Sequence, residues 1–172
     1  MKSSDVKLRK AGPNDFDKVA QMHYPVWRQS WDGIVDLFVL DVIATPTLWA
    51  TEKYPEALGR PDWNMWIAQA GAKTIGMTIF GPDATNPHDV LIEALYTTPE
   101  ARKLGVSVRL LNKAVRSNPT GDAILWCAEK NSKARQFYED NDFQPDGRTL
   151  TWEPLPGVSV PHVGYRRPAD PA

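Results

Sequence analysis

The spacing of apolar positions changes several times along this chain, and each change marks an element. VKLRK alternates and runs into Gly12-Pro13, which predicts a first strand and a turn. A helical pattern follows from about residue 13 to residue 31, with Asn14 as its cap and Asp15 and Asp17 in the first turn. Pro25 falls inside that helix and predicts a kink. Residues 36–59, DLFVLDVIATPTLWATEKYPEALG, form a second helical region broken at Pro46 and Pro55. From Asn64 the texture turns to β: NMWIAQA and KTIGMTIFG are joined at Gly71-Ala72-Lys73 as a hairpin. DVLIEALYTT makes the next strand, stopped by Pro99. VSVRLLNKAV then sets Val108, Leu111 and Val115 on one helical face. AILWCA is almost uninterrupted apolar sequence, as expected of a strand covered on both sides. NSKARQFYEDN is a short helix with Ala134, Phe137 and Tyr138 on one side. RTLTWEPLPG and VSVPHVGYRRP finish as strands, leaving residues 168–172 as a loose tail.

The order is therefore β-αα-βββ-α-β-α-ββ. It predicts an α/β (α+β) chain with a mixed sheet of about seven strands and about four helices, residues 1–167 forming one domain. The strand–helix–strand unit through residues 91–95, 108–115 and 123–128 favours parallel neighbours within that sheet.

Composition narrows the function classes. Twenty Lys and Arg against 21 Asp and Glu give a net charge of −1, so a general basic surface for nucleic acid is not expected. With one cysteine, Cys127, no internal disulfide and no cysteine-rich zinc site can form. His23 and His88 have no ligand spacing, and no metal is assigned. No apolar run approaches the roughly 20 residues of a membrane span, and MKSSDVKLRKAG lacks the apolar centre of a secretion signal. A cytoplasmic protein without a membrane partner is expected. Of the seven tryptophans, Trp126 and Trp66 are expected in the core.

The stretch LYTTPEARKLGVSVRLL carries the chemistry. A strand enters a basic loop with one glycine and leaves as a helix, whose free N–H groups and dipole suit an anion. Gly105 allows close backbone approach, and Arg102 and Lys103 add charge. These features fit a phosphate site, or equally a surface loop with solvated charges.

ARKLGVSVRLL followed by NSKARQFYEDNDF resembles the GCN5-related N-acetyltransferase (GNAT) superfamily. The resemblance implies the GNAT fold and acetyl-CoA as cofactor, its pyrophosphate held by Arg102, Lys103, Leu104, Gly105, Val106 and Ser107. Ser107 stands where glycine or alanine is usual. It further implies that Leu95, Tyr96 and Thr97 pair with pantetheine, that Asn131, Ala134 and Phe137 line the opposite wall, and that Tyr138 is the general acid. For the base, Glu93 lies among Leu91, Ile92 and Leu95, where an apolar setting would raise its pKa; His162 is the second candidate. Tyr24, Trp27 and Trp31, at i, i+3 and i+7, read as an aromatic wall of the acceptor site or as plain helix packing. Cys127, central in its strand, reads as inert. The expected activity is direct acetyl transfer, in a ternary complex, to a primary amine of a small molecule or an exposed peptide or protein amine. A non-catalytic acyl-CoA sensor of the same fold is the alternative, and homodimers are frequent in the family.

Overall fold

The computed structural model describes residues 1–171. Its strands are β1 (Val6–Lys10), β2 (Asn64–Ala70), β3 (Lys73–Pro82), β4 (Val90–Thr97), β5 (Ala123–Ala128), β6 (Gln144–Trp152) and β7 (Val160–Arg167). They build one seven-stranded sheet in the order β1-β2-β3-β4-β5-β7-β6. Every neighbouring pair is antiparallel except β4 with β5, which is parallel because helices connect them across the sheet. Side chains alternate between the faces. Met65, Ile67, Met77 and Ile79 point to one side, against helix α1 (Phe16–Ser30) and the helical turns that follow it. Phe80, Ile92, Leu125 and Tyr165 point to the other, toward α6 (Val106–Val115) and α7 (Ser132–Glu139).

The region after α1 breaks further than its pattern predicts. It forms α2 (Leu37–Ile43), α3 (Pro46–Leu48), a π-helical turn (Trp49–Lys53) and α4 (Tyr54–Leu58). Asp36 caps α2 through the Phe38 N–H at 2.8 Å, and Thr45 caps α3 through the Leu48 N–H at 3.1 Å. Pro46 occupies a first-turn position, where its missing N–H costs nothing. Pro55 cannot donate to the carbonyl four residues back, and the ladder widens instead, the Tyr54 N–H reaching Trp49 O. α1, by contrast, continues through Pro25. With the short α5 (Pro99–Arg102) there are seven helices among the described residues, where about four were expected.

On α6 the buried stripe is Val106, Leu110, Leu111 and Ala114, while Val108 faces solvent; the expected face through Val108 is corrected by about one position. Trp66 and Trp126 are half-buried and not core: Lys113 sits 3.7 Å over the Trp66 ring, and Arg148 lies 4.6 Å over that of Trp126. The expected loose tail is tied at Ala169, whose N–H donates to Asp122 at 2.9 Å; Ala172 lies outside the described residues.

Candidate active site

The sheet opens at its centre. β4 and β5 are paired only from Val90↔Ala123 to Ile92↔Leu125, although β4 runs on to Thr97 and β5 to Ala128. A bulge in β4 accompanies the separation: Ile79 of β3 pairs with Ala94 and Phe80 with Ile92, so Glu93 has no partner opposite. The buried hydroxyl of Thr78 donates to the Ala94 carbonyl at 2.9 Å and fixes the bend. β5 meanwhile stays with β7, through Trp126↔Gly164, Cys127↔Val163 and Ala128↔His162. Past Ile92, Leu95, Tyr96 and Thr97 therefore border a slot able to take an extended polar ligand by strand-like pairing.

The slot ends at the turn between α5 and α6. Gly105 adopts φ 71, a left-handed conformation that favours glycine, and a Cβ placed there would meet nothing within 4 Å. The first i→i−4 bond of α6 runs from Arg109 N–H to Gly105 O at 3.2 Å, so the amides of Val106, Ser107 and Val108 precede it with no side-chain cap. Arg102 and Lys103 are exposed beside them. Two contacts hold this turn to the end of β4. Arg102 Nε donates to Thr97 O at 3.1 Å, and the Ser107 and Thr97 hydroxyls lie 2.6 Å apart. The serine hydroxyl thus bonds inward, and its backbone N–H remains available. Gly76 on β3 allows α6 to come this close: a Cβ there would stand 2.9 Å from Leu110 Cδ1 and 2.9 Å from Thr97 Cγ2.

α7 forms the opposite wall. Asn131 caps it, its Oδ1 accepting from Ala134 N–H at 3.1 Å. Tyr138 packs between Phe137 (ring centroids 5.3 Å apart), Phe143 (5.7 Å) and Tyr165 (6.4 Å). The residue is half-buried, and burial, reinforced by Cys127 and Tyr96, raises its pKa well above the ordinary phenol value. Burial also pushes Tyr96 up to about 12 and the Cys127 thiol up to about 11. All three groups are protonated at neutral pH, which leaves no thiolate nucleophile in the seam.

The other side of the sheet is aromatic. His23 is 6% exposed, stacks on Trp49 at 4.2 Å, lies 4.5 Å from Tyr96 and pairs through Nδ1 with the Tyr54 hydroxyl at 2.8 Å. Burial lowers its pKa to about 3, and its Nε2 has no partner. Nearer the chain's last strands, Trp31 meets Trp152 at 5.1 Å and His162 at 5.9 Å. His162 Nδ1 lies 2.9 Å from Val160 O, an acceptor only, so Nδ1 carries the proton.

A family model for the acetyltransferase (GNAT) domain matches residues 61–145, which include the seam, the basic turn and α7. A Mycobacterium tuberculosis protein described as a "Probable N-acetyltransferase" is 58% identical over 166 residues, 96% of this chain and 95% of that protein. The chain belongs to the GNAT acetyltransferases. Its fold is shared with the PaiA N-acetyltransferase of Thermoplasma acidophilum, solved with coenzyme A (TM-score 0.73, 18% identity, 95% of this chain and 98% of that one). Arabidopsis thaliana NAA60, solved with a bisubstrate analogue, has the same fold (TM-score 0.68, 15% identity, 94% and 98%).

In this GNAT enzyme the expected residues divide. Leu95, Tyr96 and Thr97 border the seam, residues 102–107 form the turn at its end with Val106 buried beneath, and Ala134, Phe137 and Tyr138 lie on the helix opposite. Asn131 spends its Oδ1 on the cap. Two expectations are corrected. Glu93 is not in an apolar setting: the bulge turns it out, and it pairs with Arg60 at 2.6 Å, both side chains well exposed. Trp27 is 9% exposed and packs edge-on against Trp49 at 5.0 Å, which makes it core. Tyr24 is half-buried and tied through its hydroxyl to Asp41 at 3.1 Å; Trp31 is also half-buried, beside Trp152 and His162. The sequence reading missed Trp152, Trp49 and Tyr54. Trp152 alone left a signal, the alternation of Leu150 and Trp152 on one face of its strand. Among the described residues no group of three or more His, Cys, Asp or Glu is set to hold a metal, and no helix is long and apolar enough to cross a membrane.

Proposed function

We propose that this GNAT enzyme moves an acetyl group from acetyl-CoA to a primary amine, carried by a small molecule or exposed on a peptide, within one ternary complex. The observation that carries this reading is the seam between β4 and β5, which closes on the unbonded amides of α6 beside Arg102 and Lys103. The residues present fit the group. The amides of Val106, Ser107 and Val108, with the two cations and the helix dipole, would hold the pyrophosphate. The β4 edge at Leu95, Tyr96 and Thr97 would pair with the amides of the pantetheine arm, and Asn131 Nδ2, Ala134 and Phe137 would face it from α7. The coenzyme A found in the related fold of the T. acidophilum enzyme supports this choice of ligand.

Bound acetyl-CoA supplies an activated thioester. Tyr138 holds a proton at its phenolic oxygen, since burial keeps that group neutral, and is the general acid for the departing sulfur. Cys127 holds its proton too, so this chain offers no acyl-accepting thiolate in the seam, and transfer is direct. Glu93 is engaged by Arg60. The test is incubation with acetyl-CoA and a panel of primary amines, following free thiol and the acetylated product by mass. Thiol release matched by a product 42 Da heavier (the mass of an acetyl group replacing hydrogen) is the expected result. Bound acetyl-CoA with no amine acetylated across the panel would refute the transferase reading in favour of a sensor.

A further inference from the structure

The acceptor side of the seam carries a cluster that the cofactor half does not use. Trp31 at the end of α1, Trp152 of β6 and His162 of β7 stand at mutual ring distances of 5.1, 5.9 and 6.3 Å, all three half-buried. Their placement follows from register. His162 pairs with Ala128 on one side and Leu150 on the other, so it shares a face with Ala128 and with Trp152, which is two residues beyond Leu150. Cys127, the next residue of β5, points to the opposite face, where it feels Tyr138. Tyr138 and His162 therefore flank the end of β5 from opposite sides of the sheet. Trp31 Nε1 is buried without a hydrogen-bond partner, so the protein alone does not complete this site.

We propose that Trp31, Trp152 and His162 form the acceptor subsite: the two indoles hold the flat apolar body of an arylalkylamine, and His162 Nε2 takes the amine's proton. The inference rests on the N-acetyltransferase reading and names its substrate class and base. The chemistry of the imidazole follows from one contact. With Nδ1–H committed to Val160 O, Nε2 keeps its lone pair and has no acceptor role within the protein. Trp31 and Trp152 lie against the ring, and Leu150 and Ala128 stand opposite His162 on the neighbouring strands; none of these four ionises. The acids of the adjoining loops are Asp32, Glu129 and Glu153, of which Glu153 accepts from Ser159 at 3.5 Å. The lining of rings, with Glu93 and Asp41 already paired to Arg60 and Arg28, suits one ammonium on an apolar body better than a polycation. In the transfer, the amine nitrogen forms its bond to the acetyl carbon as the carbon–sulfur bond breaks. The bound ammonium first loses one proton through Nε2 to solvent; as the new bond forms, the nitrogen's next proton passes to Nε2 and on to solvent, and the sulfur takes a proton from Tyr138, which regains one from solvent.

Binding is measured first, with and without coenzyme A, by tryptophan fluorescence, using 2-phenylethylamine and spermidine as probes. Saturable quenching by 2-phenylethylamine is expected, weakened about tenfold in Trp152→Leu and little changed in His162→Asn. His162→Asn keeps a donor toward Val160 O but has no base. It should lower kcat about a hundredfold at pH 7, and kcat should then keep rising with pH where the parent levels off. Nitrogen NMR should find His162, assigned by the loss of its signals in His162→Asn, with Nδ1 protonated and Nε2 bare, and its Nε2 signal should move on adding 2-phenylethylamine. Tighter binding of spermidine, or no effect of Trp152→Leu, overturns the subsite, and an unaltered His162→Asn pH profile overturns the base. Acetyl-CoA is added to the same samples in a thermal melt. If it stabilises them while 2-phenylethylamine fails to bind, the subsite falls and the transferase reading stands; if it does not, both fall.

Discussion

Replacing Ser107 with alanine tests whether its hydroxyl serves the protein or the ligand. It lies 2.6 Å from the Thr97 hydroxyl, and Thr97 is 4% exposed, so Ser107→Ala strands a buried hydroxyl that water cannot easily reach. Orphaning such a group costs about 1–3 kcal/mol. Alanine's better helix propensity returns roughly 0.5 kcal/mol, leaving a net loss of about 0.5–2.5 kcal/mol. At roughly 2–4 °C per kcal/mol for a chain of this size, Tm should fall by about 1–10 °C. Urea unfolding gives the free energy directly, and a cycle with Thr97→Val isolates the pair. Removing both hydroxyls should cost less than Ser107→Ala alone, because neither is then left unpaired. Acetyl-CoA affinity should stay within about twofold, because the backbone N–H of residue 107 remains and the hydroxyl bonds inward. Unchanged stability with a tenfold loss of affinity would refute the reasoning, since the hydroxyl would then be spent on the ligand.

Tyr138→Phe should lower kcat by about a hundredfold while leaving the Kd for acetyl-CoA unchanged, read by steady-state kinetics and calorimetry; weaker binding with unaltered turnover would contradict the acid assignment. Glu93→Gln breaks an ion pair whose partners are both more than a third exposed, so unfolding free energy should fall by about 1 kcal/mol or less and turnover by no more than about threefold. A turnover loss near a hundredfold would make Glu93 the base instead. His23 has a pKa near 3 when folded, against an ordinary 6.5, so the unfolded chain binds the extra proton. Stability from this group is therefore full above about pH 6.5 and is lost as pH falls toward 3, by up to ~1.4 kcal/mol per unit. Between pH 6 and 4.5 the parent should lose about 2 kcal/mol more than His23→Gln in urea unfolding, and parallel slopes would contradict the assignment.

The element order could be read because period changes are local: β4, the basic turn and α6 announce themselves through Pro99, Gly105 and a helical stripe. The opening of the seam could not. It depends on a bulge that leaves Glu93 opposite no residue of β3, and LIEALYT reads as a plain strand whichever way it is paired. Trp27 and Trp31 are adjacent turns of one stripe, but Trp49 from a later turn covers the first and leaves the second half-open, a fact of tertiary packing. Trp126 misled for a related reason. AILWCA is apolar throughout, yet the face at Trp126 is covered by the Arg148 guanidinium and not by a helix. The Ser107 departure from the family pattern is explained by the Thr97 hydroxyl beside it, a partner on the preceding strand that sequence spacing does not mark.

The central claim, that the seam and the turn at residues 102–107 form an acyl-CoA site, is tested most directly by a thermal melt of cofactor-stripped protein with and without acetyl-CoA. At 100 times Kd the ligand should stabilise by about 2.7 kcal/mol, hence by about 5–11 °C. Adenine nucleotides without the pantetheine arm should give no comparable shift, since they cannot occupy the β4 edge. No shift at millimolar acetyl-CoA, or an equal shift with ADP, would contradict the account.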